Sequence, residues 1–284
     1  PSFPKSKYAV TGIYSYDKNG KATHPRIAIR MQNNEIAEIR GVENKQNLDP
    51  HIAKSNVLEE KLKTPELKDK GEFYKKRDHD MKKLTEIENK TNEGTELTKE
   101  DLDFLYEQNS EIESFGYGKD PRIQEIIQKR IIKDLQNGYL SNLETYNGDI
   151  DLGLIKSIQG LNLKFPKTIK GSLVLESLTN ANGLVLPKNI EGSLHLNSLT
   201  NPKGLILPKK IGGSLFLQNL TNANGLKFPD EIHTLSLRSL TDSTGLKLPK
   251  KLQNLDLYRL EDPQGLTLPE TITGHIDLSS LTNA

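Results

Sequence analysis

The sequence predicts an α+β N-terminal region followed by a parallel β-solenoid with coils of 20–21 residues. Three observations carry this. Prolines recur at Pro166, Pro187, Pro208, Pro229, Pro249 and Pro269, at spacings of 21, 21, 21, 20 and 20 residues. Leucine pairs keep step with them: Leu173/Leu175, Leu194/Leu196, Leu215/Leu217, Leu235/Leu237, Leu255/Leu257 and Ile276/Leu278. Gly-Leu-x-apolar-Pro units begin at Gly183, Gly204, Gly225, Gly245 and Gly265. A register held this long marks a stack of like units, each burying its apolar face on its neighbours.

Each part of the unit has a physical role. The L-x-L stretch alternates with the two-residue period of a strand, so its leucines point into the coil and the residue between them points out. A third apolar position follows at Leu178, Leu199, Leu220, Leu240, Leu260 and Leu281. Gly-Leu-x-Leu reads as a second short extended piece whose leucine pair also faces inward. Proline then fixes φ and ends that piece. Three residues later stands Ile169, Ile190, Ile211, Ile232, Leu252 or Ile272. The glycines permit a sharp or left-handed turn.

At the corner after the main strand, Thr179, Thr200, Thr221, Thr241 and Thr282 precede Asn180, Asn201, Asn222, Asp242 and Asn283, and Asp262 follows Glu261. Short polar side chains of this type bond nearby backbone in Asx turns. A ladder of them from coil to coil is expected, with Glu261 interrupting the threonine column. Gly171, Gly192 and Gly213 precede the main strand in the 21-residue units. The segments "HTLSL" and "QNLDL" lack that glycine, so the turn before the strand is expected to differ there.

"LPKKLQNLDLYRL", Leu248 to Leu260, resembles the LPxxLxxLxLxxN pattern of short bacterial leucine-rich repeats of the effector type. The resemblance spans roughly residues 150–284. It departs from that pattern where Leu178, Leu199, Leu220, Leu240 and Leu260 replace the usual asparagine, and where three units carry an extra residue before the strand. It implies a solenoid that binds other proteins. Some effector members carry a cysteine-dependent ubiquitin ligase; this chain has no cysteine, which excludes that chemistry within it.

The first half divides into a β-hairpin-rich region, residues 1–56, and a charged helical region, residues 57–138, with the solenoid over 139–284. Residues 8–40 alternate in strand fashion around Asp17-Lys18-Asn19-Gly20 and Asn33-Asn34, both hairpin-type turns. Residues 42–70 read as loop with a short helical piece. A charged helix runs from Gly71 to about Lys90, with Phe73, Met81, Leu84 and Ile87 as its apolar stripe. Thr98 and Asp101 form a capping-box-like start for the next helix. Asp120 and Pro121 open a third, whose apolar face is Ile123, Ile126, Ile127, Ile131 and Leu135. That helix is expected to cap the solenoid's open core. The stretch from Leu97 to Ile126 resembles a segment of uncharacterised bacterial proteins that stands before such repeats, and implies no activity.

Composition narrows function further. Lys+Arg 39 against Asp+Glu 38 leaves a net charge of +1, far from the basic excess of a dedicated nucleic-acid binder. No run of about 18 apolar residues exists, so no membrane span is expected. His79 sits between Asp78 and Asp80, but adjacent residues on a helix diverge and do not share a metal. No histidine pair has metal spacing, and nucleophile-elbow, zincin and phosphate-loop motifs are absent from the sequence. A non-enzymatic protein without cofactor or metal is therefore expected.

The informative surface is the outward column Val174, His195, Phe216, Ser236, Asp256 and Asp277, with the next column Glu176, Asn197, Gln218, Arg238, Tyr258 and Ser279. These positions vary while the inward ones do not. Phe216 and Tyr258 are the expected anchors of a protein or peptide partner, since aromatics dominate interface energetics. A second reading is polyanion or nucleic-acid binding along Lys167, Lys188, Lys209, Lys210, Lys250 and Lys251, interrupted by Asp230, Glu231 and Glu270. A third is an enzyme site in the N-terminal domain. The last letters, "LSSLTNA", stop part-way through a coil, so a truncated solenoid is expected, or an edge-to-edge dimer at that coil.

Overall fold

The computed structural model describes residues 8–16, 18–32, 34–41, 57–65, 67–115 and 118–281. Asp17, Asn33, most of the loop after residue 41, Gly116, Tyr117, Thr282 and Asn283 lie outside them, with the readings placed there. The chain divides into two units, Pro1–Gln124 and Glu125–Ala284.

In the first unit, β1 (Tyr8–Tyr16), β2 (Ala22–Gln32) and β3 (Glu35–Gly41) form an antiparallel sheet in that order. Ile27 and Ile29 alternate inward on β2 and join Ile36, Leu62 and Leu67 in one apolar cluster. Leu62 belongs to α1 (Val57–Leu62). The charged helix is α2 (Lys68–Asn92), longer than expected at both ends. Its stripe is also different: Leu84 and Ile87 are buried, but Phe73 is 56% exposed. Near its start α2 packs through Gly71, where an added Cβ would lie 2.9 Å from Leu62 Cβ. Residue 73 lies on the opposite side of the helix, so the contact that anchors this end turns Phe73 outward.

Thr98 caps α3 (Lys99–Leu105) as the sequence predicts: the Asp101 amide donates to Thr98 Oγ1 at 3.2 Å, and the Thr98 amide donates back to Asp101 Oδ2 at 3.2 Å. Lys83 and Lys90 of α2 hold the same carboxylate, at 2.5 and 3.0 Å. Asp120 Oδ1 accepts from the Arg122 amide and opens α4 (Pro121–Gln136), whose five expected apolar residues are all buried.

The second unit is a parallel β-solenoid of about six coils, about 21 residues apart, over residues 145–277. Its first coil takes hydrogen bonds from α4: Gln128 Nε2 donates to Asp151 O, Gln136 Nε2 donates to Leu161 O, and the Lys164 amide donates to Leu135 O. The main strands are β5 (Ile150–Asp151), β7 (Leu173–Val174), β9 (Leu194–His195) and β11 (Leu215–Phe216). Between them run β4 (Thr145–Tyr146), β6 (Thr168–Ile169), β8 (Asn189–Ile190) and β10 (Lys210–Ile211), in a separate parallel sheet. In the next two coils the pair fuses into β12 (Glu231–Ser236) and β13 (Lys251–Asp256). The last coil separates again into β14 (Thr271–Ile272) and β15 (Ile276–Asp277) around Gly274. The missing glycine thus removes the bend between the two strands, and chain length and strand length change together.

Registry matches the repeat. Leu173 pairs with Leu194, Leu194 with Leu215, Leu215 with Leu235, Leu235 with Leu255, and Leu255 with Ile276. Leu178, Leu199, Leu220, Leu240 and Leu260 are each fully buried, so the apolar replacement for asparagine fills the core. Gly-Leu-x-Leu behaves otherwise than expected. It joins no ladder; Leu184, Leu226 and Leu246 are buried, but the second apolar residue is only half-buried at Leu186, Leu207, Phe228 and Leu248 and is exposed at Leu268.

The corner polar residues form the expected Asx turns. Asn180, Asn201, Asn222, Asp242 and Asp262 each accept, through Oδ1, from the amide two residues on, at 2.7–2.8 Å. These are Asx turns closed within one coil; the bonds between coils at this corner come from the threonines instead, Thr179 Oγ1 donating to Lys156 O and Thr221 Oγ1 to Thr200 O, both at 3.4 Å. Gly183 and its four counterparts follow with φ between +73° and +83°, the left-handed region that favours glycine. Asn222→Ala removes one such bond at an exposed turn and should cost about 1 kcal/mol in urea denaturation. A larger loss would mean that the corner is coupled across coils.

The ladder between coils lies one residue before the main strand. Ser172 Oγ accepts from the Ser193 amide and Ser193 Oγ from the Ser214 amide, both at 3.0 Å. Asp149 Oδ1 supplies Ser172, and Asn254 Oδ1 supplies His275 at 2.9 Å.

Candidate functional site

The two outward columns come together on one face because parallel pairing puts equivalent residues side by side. Val174 pairs with His195, His195 with Phe216, Phe216 with Ser236, Ser236 with Asp256, and Asp256 with Asp277. Neighbouring strands stand about 4.8 Å apart, so adjacent side chains touch. The His195 and Phe216 rings lie 4.7 Å apart, centre to centre, at an interplanar angle of 33°. Glu176 Oε1 stands 3.6 Å from His195 Nδ1. One coil-pair further on, the Arg238 guanidinium lies 5.0 Å from the centre of the Tyr258 ring. Rings and charges therefore meet in two adjacent pairs along the face.

The exposure of these residues is uneven. Glu176, Arg238 and Tyr258 are exposed, whereas Val174, His195, Phe216, Asn197, Gln218 and Asp256 are half-buried. Ser236 corrects the expectation of an outward, free column: it is 3% exposed, and its hydroxyl donates to Asp256 Oδ2 at 3.2 Å. A small residue beside the larger side chains of neighbouring strands is covered by them. Asp256 Oδ1 also accepts from the Tyr258 amide at 3.1 Å, so this acid braces the backbone that presents Tyr258. Asp277 repeats the bond with Ser279, whose hydroxyl and amide hold the Asp277 carboxyl below its ordinary range. Asn197 Oδ1 is buried and takes no hydrogen bond. The face carries Glu176, Asp256 and Asp277 against Arg238 alone, so it is acidic.

The lysine edge is not continuous. Lys167 pairs with Glu144 at 2.8 Å, Lys250 with Asp230 at 3.4 Å and Lys251 with Glu231 at 2.5 Å. Among the described residues Lys188, Lys209 and Lys210 form no ion pair. An open groove of about 760 Å³ lies beside Lys209 and Lys210, where β10 ends the smaller sheet and β12 joins the larger one. The His233 amide there donates to Gly213 O at 3.1 Å, in place of the Ile211 carbonyl that strict repetition would use.

In the first unit a hollow of about 340 Å³ is lined by Asn34, Glu35, Ile36, Asp69, Lys70, Phe73 and Arg77. Its polar groups bind one another: Lys70 Nζ donates to Asn34 Oδ1 at 2.7 Å and Arg77 Nη1 to Glu35 Oε2 at 2.8 Å. Among the described residues, no three His, Asp or Glu side chains are placed to share a metal ion, and no helix is long and apolar enough to cross a membrane.

The repeated Gly-Ser-Leu triplets at Gly171, Gly192 and Gly213 were the visible signal of the serine ladder, which lies beside the outward columns and holds them in line. No family model, curated protein or solved structure matches the chain.

Proposed function

We propose that the solenoid is a non-enzymatic binding module whose main-strand face docks a protein or peptide segment. The observation that supports this most directly is the pairing of Phe216 with His195 and of Tyr258 with Arg238 on outward positions of the strands. The core is complete without them, as the inward leucines of the same coils are fully buried. Rigid aromatics on a strand scaffold offer contact area at small entropic cost. The acidic surround of Glu176, Asp256 and Asp277 favours a partner segment bearing lysine or arginine.

Selection of a displayed random peptide library against the protein tests this reading. Enriched peptides should be basic and should bind the Phe216→Ala/Tyr258→Ala variant at least about tenfold more weakly. Enriched peptides that bind both forms equally would remove the proposed face.

A further inference from the structure

We propose that a second surface, formed by the Gly-Leu-x-Leu-Pro segments and the lysines beside them, docks on an anionic phospholipid bilayer. Two observations carry it. Val185 and Ile206 occupy the same position of neighbouring coils, two residues before the proline, and are 74% and 79% exposed. Three residues on, the Lys209 amide donates to Lys188 O at 2.9 Å and holds these two coils in register, so the two aliphatic side chains form one protruding ridge. The coil does not need an apolar residue there: the same position holds Lys164, Lys227, Lys247 or Thr267 in the other coils. A single exposed aliphatic side chain is ordinary, but two in adjacent coils form a patch.

The second observation is the charge around that ridge. Lys164 and Lys227 flank it in its own column, and Lys188 and Lys209 follow the proline in the same two coils. All four are exposed, and none forms an ion pair among the described residues. Two acids of this edge, Asp230 and Glu231, are already paired with Lys250 and Lys251, which leaves Glu191 as the exposed acid of this edge in these two coils. Free ammonium groups around protruding aliphatics match a bilayer surface, where anionic headgroups take the charges and the acyl boundary takes the apolar tips. Lysine stems can lie along that boundary with their charges in the headgroups. Nucleic acid would use the lysines but has no use for Val185 and Ile206. The protein on this reading lies on the membrane and does not span it. The inference uses none of the residues assigned to the peptide-docking face, so either can fail alone.

Vesicle flotation decides it, with phosphatidylcholine vesicles prepared with and without phosphatidylserine. The protein should float only with the phosphatidylserine vesicles. Val185→Thr/Ile206→Thr, which installs a residue another coil already tolerates, should weaken binding about tenfold. Lys188→Gln/Lys209→Gln should weaken it by a similar factor and make the remaining binding less sensitive to salt. Circular dichroism confirms that each variant is folded before comparison. Absence of flotation with phosphatidylserine overturns the proposal. So does flotation that Val185→Thr/Ile206→Thr leaves unchanged, and so does duplex DNA retention lost with the lysines alone in a protein that ignores vesicles.

Discussion

Gly192→Ala is expected to destabilise the solenoid by about 3 kcal/mol, an overpacking loss at the upper end for one methyl group. An added Cβ would lie 2.6 Å from both the carbonyl carbon and the oxygen of Gly171, and 2.7 Å from the Ser172 nitrogen. These are backbone atoms of the preceding coil, so no side chain can swing aside. Nor can the coils part freely. The Gly192 amide donates to Gly171 O at 3.0 Å, the Gly213 amide donates to Gly192 O at 2.9 Å, and the serine ladder runs alongside. Gly225→Ala is the control. Its φ of +81° is strained for alanine, but an added Cβ there meets nothing within 4 Å. That substitution should cost about 1 kcal/mol, the left-handed penalty alone. Urea denaturation of both variants gives the comparison. Equal losses would show that the glycine column serves φ, not close approach.

Asp101→Asn should cost the N-terminal unit about 2 kcal/mol at neutral pH and almost nothing at pH 2. The residue is 1% exposed. Burial pushes its carboxyl up, but Lys83, Lys90 and the Thr98 amide outweigh burial and hold it at about 2, against an ordinary 3.8. A carboxyl held below its unfolded value contributes stability that is present above pH 3.8 and lost as pH falls towards 2. The amide side chain of asparagine keeps the volume and one acceptor but gives the two ammonium groups no charge to meet. Urea midpoints followed by the helical circular dichroism signal, between pH 2 and pH 7, should converge for wild type and variant at the acid end. A constant gap across that range would assign the loss to the cap rather than to the charge.

The periodic features were the most legible. The leucine columns, the corner turns and the altered turn in the two 20-residue coils follow from spacing alone, because each recurs and each has one steric solution. Phe73 was misplaced because the helix pattern does not reveal that Gly71 anchors the opposite side. Ser236 was misplaced because alternation gives direction, not cover; its burial depends on the size of its neighbours across the sheet. The ring pairs of the candidate face needed strand registry, which brings residues 20 or 21 positions apart into contact. The exposed ridge of Val185 and Ile206 sits inside a segment read as inward-facing, where only the outer residue of each unit carries the signal.

The serine ladder has a direction. Each hydroxyl serves the amide of the coil that follows, as Ser172 serves Ser193 and Ser193 serves Ser214. A coil therefore depends on its predecessor and offers its own acceptor to its successor. Growth of the stack is vectorial, and it runs the way a ribosome delivers the chain. A finished coil presents the next one with a template, and the strand bonds run the other way: the Leu173 and Leu194 amides donate to Ser193 O and Ser214 O of the coil that follows, so each new coil also completes the one beneath it.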